Sequence, residues 1–327
     1  MQIKCLGIES TAHTFGAGVV IFEGNKFEIL SSQRACFFPK KGITPSLATV
    51  HHAEKAPKTI KYALTKAGTG MNDIDIIAFS IGPGLAPCLV VGATAAKILA
   101  LKHKKPLVGV NHCVAHIEIA KDLAGCKSDF VAVFVSGGNS QILSKVDGKY
   151  MIFGETQDVA VGNAIDKFAR RSDLGFPGGP IVEKLAKKGK YIDLPYSVKG
   201  CDFSFAGIET HAERLLKKHS IKDLCFSMQE VMFSAICESA ERVLGHLKLK
   251  NLVLCGGVAR NKTLQEKLRI MTKERGAKLF CVPDEFAGDN GAMIAVAGIK
   301  NYLDKINCFS QKDIPKVSVI AKMRIDE

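Results

Sequence analysis

The sequence predicts an α/β fold of two lobes built on one duplicated plan, and three observations carry that expectation. An order of three strands, a helix, a strand and a helix runs through the first 125 residues, and a similar order starts again at Asp129. Both halves place small and hydroxylic residues at the first hairpin turn, Ser10-Thr11-Ala12 in one and Ser136-Gly137-Gly138-Asn139-Ser140 in the other, where backbone N–H groups can converge on an anion. The 327 residues, 47% hydrophobic and 24% charged, suffice for two closed cores. The expected lobes are residues 1–125 and 126–327, the second with a helical insertion at about 175–250.

Residues 3–8, 16–22 and 27–34 read as strands joined by tight turns, and a helix at 46–66 enters through Pro45. The apolar run 74–79 ends at Gly82-Pro83-Gly84 and leads to a helix at 89–102, a strand at 107–110 and a helix at 112–123. The second round has strands at 130–135, 140–146 and 150–154 and a helix at 161–171. Helices at 208–218 and 224–249 form the insertion; then come a strand at 252–255, a helix, a strand at 278–282 and a final helix.

No apolar run reaches the roughly 18–20 residues of a bilayer span, and Met1-Gln2-Ile3-Lys4-Cys5-Leu6 lacks a signal peptide's apolar stretch. A soluble, cytoplasmic chain with no membrane partner is expected. Its 11 cysteines are scattered with no C-x-x-C pair, which suits reduced core residues. The net charge of +13 attracts polyanions such as nucleic acid, although a lysine-rich solubilising surface would look the same. The basic clusters are Lys40-Lys41, 102–105, Arg170-Arg171, 187–190 and 217–219. Those at 170–171 and 187–190 lie nearest in sequence to the glycine loops and are expected to border a cleft for RNA.

Five glycine junctions recur at strand ends or helix starts: Gly82-Pro83-Gly84, the loop 136–140, Pro177-Gly178-Gly179-Pro180, Gly256-Gly257 and Gly288-Asp289-Asn290-Gly291. Glycine ends strands in many folds, so one junction says little; five in a duplicated pattern point to a nucleotide between the lobes. Gly256-Gly257-Val258 is expected to open a helix with free N–H groups. His112 and His116, four residues apart, share one helix face and suit one metal, with Asp289 as a third ligand. Two imidazoles and a carboxylate favour iron or zinc over magnesium, while chance pairing among nine histidines is the competing reading. Cys113 stands where a zinc protease needs Glu. The adjacent His51 and His52 are expected to diverge as surface or inter-helix residues, and Ser204 to cap the helix after it. Asp166 suits either the helix dipole or a ribose. Glu9, the most inward-looking acid of the first lobe, is the candidate catalytic residue.

Taken together, the stretches 7–14, 82–85, 112–116, 135–139, 162–168, 177–180, 203–210, 256–261 and 289–295 resemble the universal family of tRNA N6-adenosine threonylcarbamoyltransferases, once labelled O-sialoglycoprotein endopeptidases. The start Thr11-Ala12-His13-Thr14-Phe15-Gly16 is similar to the archaeal and eukaryotic type, the catalytic subunit of the KEOPS complex. The resemblance implies the duplicated actin/hexokinase-like fold. It also implies transfer of a threonylcarbamoyl group from threonylcarbamoyl-AMP to N6 of the adenine adjacent to the anticodon, position 37, in tRNAs reading ANN codons. One divalent metal, iron before zinc, would sit on His112, His116 and Asp289. An adenine nucleotide (threonylcarbamoyl-AMP, AMP or ATP) would be held around Phe134, Val135, Ser136, Gly137, Gly138, Asp166, Gly179, Glu183 and Asn261. Implied partners are tRNA, a kinase-like ATPase subunit and small accessory subunits, with helix faces within 51–66 and 95–102 as docking surfaces. Phe134 departs from the archaeal pattern, which usually has a Tyr approaching the metal there. Two other classes stay open on the residues alone: a sugar- or acetate-kinase-like ATP phosphotransferase, which has no use for the His pair, and a non-catalytic basic nucleic-acid-binding protein, which has no use for the glycine loops.

Overall fold

In the computed structural model, residues 2–39 and 44–326 are described, so the Lys40-Lys41 cluster lies outside the described residues. The chain opens with an antiparallel meander, β1 (Gln2–Glu9), β2 (Thr14–Glu23) and β3 (Lys26–Cys36). Helix α1 (Pro45–Lys66), β4 (Ile76–Gly82), α2 (Ala86–Lys102), β5 (Leu107–Asn111) and α3 (His112–Leu123) follow, with β4 parallel to both β1 and β5. A second meander, β6 (Val131–Val135), β7 (Ser140–Val146) and β8 (Lys149–Glu155), leads to α4 (Val161–Arg171) and α5 (Gly179–Ala186). Next come the two-residue strands β9 (Val198–Lys199) and β10 (Asp202–Phe203), then α6 (Ala206–Leu215) and α7 (Ile221–Leu247). The chain closes with β11 (Asn251–Cys255), α8 (Lys262–Glu274), β12 (Lys278–Cys281), α9 (Gly291–Leu303) and β13 (Cys308–Phe309).

The first sheet runs β13-β5-β4-β1-β2-β3 and the second β12-β11-β6-β7-β8. The central strands of the first are apolar on both faces because both faces are covered. Leu6, Ile8, Ile77 and Phe79 point to a core with Ala56, Ile60, Ala93 and Ala96 of α1 and α2. Cys5, Ile76 and Ala78 point to the opposite core, with Ala115 and Ile119 of α3 and the apolar stretch 292–297 of α9. The chain's last helix and strand thus belong spatially to the first sheet.

Two features place the candidate site residues. Helix α3 is buried on opposite sides, Ala115 and Ile119 against the first core and Cys113, Ile117 and Ala120 against the core of the second sheet, so its first turn lies between the two sheets. The N-terminus of α9 presses onto β1 and β2 at a contact of glycines: a Cβ on Gly291 would stand 2.3 Å from Gly18 N, and one on Gly18 2.5 Å from Ala292 N. Only glycine permits that approach, and it fixes the residue two before it, Asp289.

Helix α5, the β9–β10 pair and β13 lie outside the elements read from sequence. The helix expected straight after Gly256-Gly257 is delayed: Gly256 takes φ 91°, a 3₁₀ turn covers Gly257–Arg260, and α8 starts at Lys262. Among the described residues no helix is long and apolar enough to cross a membrane.

Candidate functional site

Strand β5 runs directly into α3, and the side chain of Asn111 caps the junction by accepting from Cys113 N (2.9 Å) and Val114 N (3.3 Å). His112 is therefore the first helical residue and His116 stands one turn later. Their rings meet edge to face, with centroids 4.7 Å apart. Asp289 arrives from the loop before α9. Asn290 locks that loop, accepting from Met293 N (2.9 Å) and donating to Gly288 O (2.8 Å).

Asp289 Oδ1 lies 3.3 Å from His116 Nε2 and 3.7 Å from His112 Nε2, and one ligand atom from each residue falls within 4.8 Å of the others. Ligands bonded at about 2.1 Å to one cation stand roughly 3–3.5 Å apart; the two carboxylate–imidazole distances are close to this, and a small side-chain adjustment brings all three donors onto a single ion. His112 Nδ1 donates to Glu9 Oε2 at 3.0 Å, which directs Nε2 towards Asp289. Glu9 is fully buried, and its other oxygen accepts from the Thr11 backbone N (2.6 Å) and hydroxyl. Its carboxylate is thus spent on Thr11 and His112. Phe134, also fully buried, packs against His116 with centroids 5.3 Å apart and brings no oxygen.

Burial opposes a charge on His112, but the Glu9 carboxylate and then Asp289 outweigh it and push its pKa up to about 9. Burial pushes His116 down. For Asp289, burial works upward but is overcome by the hydrogen bond from His116 and the charges of His112 and His13, which hold it well below the usual carboxylate range. His13, 3.7 Å from Asp289 Oδ2, is a neighbour that the sequence reading did not single out.

The expected nucleotide residues fall into two groups. In the first, Ser136 Oγ accepts from Gly138 N (3.2 Å) and Asn139 N (2.9 Å), and Gly162 N at the start of α4 donates to Ser136 O (3.2 Å). Asp166 lies in the second turn of α4, where burial raises its pKa, and it accepts from Gly178 N at 2.7 Å and from Gly179 N, tying the loop before α5 to α4. A Cβ on Gly137, Gly138, Gly179 or Gly257 would meet nothing within 4 Å, and none of the four has positive φ. The fold does not demand glycine at these positions; the open space suits a close-lying ligand. Val135 is fully buried and its carbonyl backs Gly256.

In the second group, Asn261 caps α8 by accepting from Thr263 N (3.0 Å) and Leu264 N (3.2 Å), and its amide donates to Gln229 (2.6 Å). Glu183 accepts from Lys262 N at 2.8 Å. The first N–H groups of α8 are thereby occupied, so the free helix start expected from the Gly-Gly pair is corrected.

Three further expectations change. His51 and His52 do not diverge: their Nδ1 atoms are 3.3 Å apart, and His52 is fully buried against Phe15, with burial and the His51 charge lowering its pKa to about 4. Helix α6 is capped by Asp158, which accepts from Phe205 N (2.9 Å) and Ala206 N (3.0 Å), and not by Ser204. Arg171 is paired with Glu213 and with the buried Glu209, so it offers RNA no free charge. A groove of about 570 Å³ lined by Arg269, Lys273 and Lys278 lies at the outer edge of the second sheet and involves none of the predicted site residues.

A family model described as tRNA N6-adenosine threonylcarbamoyltransferase matches residues 27–296. The Thermococcus kodakarensis protein of that name is 48% identical over 328 residues, covering 98% of this chain and 97% of the relative. A Methanobrevibacter smithii protein, named a probable bifunctional tRNA threonylcarbamoyladenosine biosynthesis protein, is 48% identical over 326 residues; the match covers 99% of this chain but 59% of that protein's length. Among solved structures, Thermococcus kodakarensis HypF superimposes with a TM-score of 0.61 at 15% identity, over 92% of this chain and 48% of that one, which shows a shared fold.

Proposed function

The chain belongs to the tRNA N6-adenosine threonylcarbamoyltransferase family, and we propose that it performs this transfer with one divalent cation on His112, His116 and Asp289 and the donor adenylate in the glycine-lined cradle. In the reaction, the bond between the donor carbonyl carbon and the phosphate oxygen breaks, a bond from that carbon to N6 of the tRNA adenine forms, N6 gives up one proton to solvent, and AMP leaves with the bonding electron pair. The observation that carries the reading is the convergence of two imidazoles and one carboxylate at single-ion spacing. When bound there, the cation supplies positive charge against the oxygen of the acyl group.

The chain's own residues do the rest. Glu9 keeps His112 protonated at Nδ1 and aimed through Nε2, acting as a positioning residue. Phe134 closes the His116 side with an apolar wall, leaving substrate or water to complete the coordination. Gly137, Gly138, Gly179 and Gly257 leave room for a nucleotide, with Asp166 holding the Gly178-Gly179 backbone in place. Asn261 and Glu183 build the far wall through the start of α8. Iron and zinc both suit this donor set.

We place the chain in the cytoplasm, with a kinase-like ATPase and small accessory subunits as partners. Eleven free cysteines support the first statement. An open groove of about 510 Å³ between α1 and α2, lined by Ile60, Leu64, Ile98 and Leu99, supports the second, as does the bifunctional relative. The test is elemental analysis with a transfer assay. Wild type should carry about one equivalent of iron or zinc, and His116→Ala should lose both metal and transfer while keeping its fold. Full metal retention in the variant would refute the site.

A further inference from the structure

Two cross-lobe pairs border the metal pocket without serving it. Phe38, just after β3, is 50% exposed, yet its ring lies 5.3 Å from that of His13 and 6.2 Å from that of Phe176. His13 leads to Asp289 at 3.7 Å, while Phe176 adjoins the Gly178-Gly179 backbone held by Asp166. A scattered exposed Phe needs no explanation; one that meets an aromatic of the other lobe between the metal pocket and the cradle does.

Beyond the Asp289 loop stand two arginines. A Cβ on Gly288 would lie 3.2 Å from Arg260 Nη2 and 3.9 Å from Arg34 Nη1, so guanidinium groups from β3 and from the turn after β11 stand side by side. Neither forms an ion pair among the described residues: Arg260 Nε donates only to the Asp284 carbonyl (2.8 Å), and the Asp284 carboxylate is paired with Lys262. Desolvation, and after it the Arg34 charge, pushes Arg260 below the ordinary guanidinium value, against the smaller opposing pull of the Asp284 and Asp289 carboxylates. Like charges held together in this way match an anion between them, and a planar fork matches a phosphate.

We propose that these residues form the acceptor subsite: Phe38 stacks the extruded adenine of the RNA beside the metal pocket, and Arg34 with Arg260 clasps a neighbouring phosphate. The proposal rests on the transfer reading above. An adenine presented at its N6 edge must leave its stack, and a protein aromatic then replaces the lost base–base contact. The donor nucleotide occupies the cradle on the Gly137–Gly179 side, which leaves the Phe38 side to the acceptor.

The test uses the full chain, with its partners where turnover requires them, and an anticodon stem-loop RNA carrying 2-aminopurine at the acceptor position, whose fluorescence is low in the loop's own stack, rises on extrusion and is quenched again against a facing aromatic ring. Wild type should quench the extruded base. Phe38→Ala should abolish quenching and lower kcat/KM for tRNA roughly tenfold or more, with donor affinity and metal content unchanged, and Phe38→Trp should restore both. Arg34→Gln and Arg260→Gln should keep the quench but weaken binding, each lowering the salt slope of log affinity by about 0.7. If wild type modifies tRNA while all these variants behave like it, the subsite is wrong and the transfer reading stands. If wild type neither modifies tRNA nor quenches the probe, both fall together.

Discussion

Lys300→Ala should loosen the proposed metal site without touching any of its three residues. Lys300 of α9 donates to Glu118 of α3, pairs with Asp122 at 2.6 Å, and shares Glu118 with the Tyr150 hydroxyl, which donates at 2.7 Å. This network ties the helix that carries His112 and His116 to the helix that follows Asp289. The Glu118 side chain is only 8% exposed, so deleting Lys300 leaves a nearly buried carboxylate unpaired, a loss of about 3–5 kcal/mol. For a chain of this size the melting temperature should fall on the order of 10 °C. The pH dependence has a definite sign. In the wild type, burial raises the Glu118 pKa but Lys300 outweighs it and brings the net value below the usual one; the stabilisation is present above the unfolded pKa and is lost as pH falls through the folded one. Without Lys300, burial prevails and the folded pKa rises above the unfolded value. The deficit of the variant should then be largest near neutral pH and shrink towards pH ~4. Thermal unfolding across pH, with metal titration, reads both effects. A variant that melts within a degree of wild type, or whose deficit grows on acidification, would refute the reasoning.

Two other outcomes are expected. Gly257→Val should fold normally, because its side chain enters open space, while calorimetry shows donor-nucleotide affinity falling at least about tenfold, roughly 1.4 kcal/mol; unchanged affinity would move the nucleotide elsewhere. Ile98→Glu, on a residue 58% exposed in the α1–α2 groove, should leave stability within about 0.5 kcal/mol of wild type. It should also abolish any gain in turnover on adding the proposed partner subunits; a gain equal to that of wild type would place the partners on another face.

Much of this arrangement was legible because it is local. The His112–His116 spacing is a helix periodicity, and Asp289 stands in a loop whose glycines mark a close approach. The partners of those residues were not legible, because they lie far away in sequence. Glu9 meets His112 across 103 residues, and Asp158 caps α6 from 47 residues upstream of Phe205. Arg171 looked like free charge until α6 brought Glu209 and Glu213 to it. Helix α5 hid behind Pro177-Gly178-Gly179-Pro180, which reads as a turn although Pro180 sits in the helix's first turn, where proline is tolerated. The two residues of β13 are too few to show a strand period. Gly256-Gly257 resembled a phosphate-binding helix start, but the chain spends the α8 N–H groups on Asn261 and Glu183.

Diffraction recorded across the iron and zinc absorption edges, from crystals grown with a non-hydrolysable threonylcarbamoyl-AMP analogue, tests the central claim most directly. One anomalous peak is expected, bonded at about 2.0–2.2 Å by His112 Nε2, His116 Nε2 and an Asp289 oxygen, with the adenylate lying over Gly137, Gly179 and Gly257. A fully bound analogue with no peak between these three side chains, or with the metal held elsewhere, would contradict it.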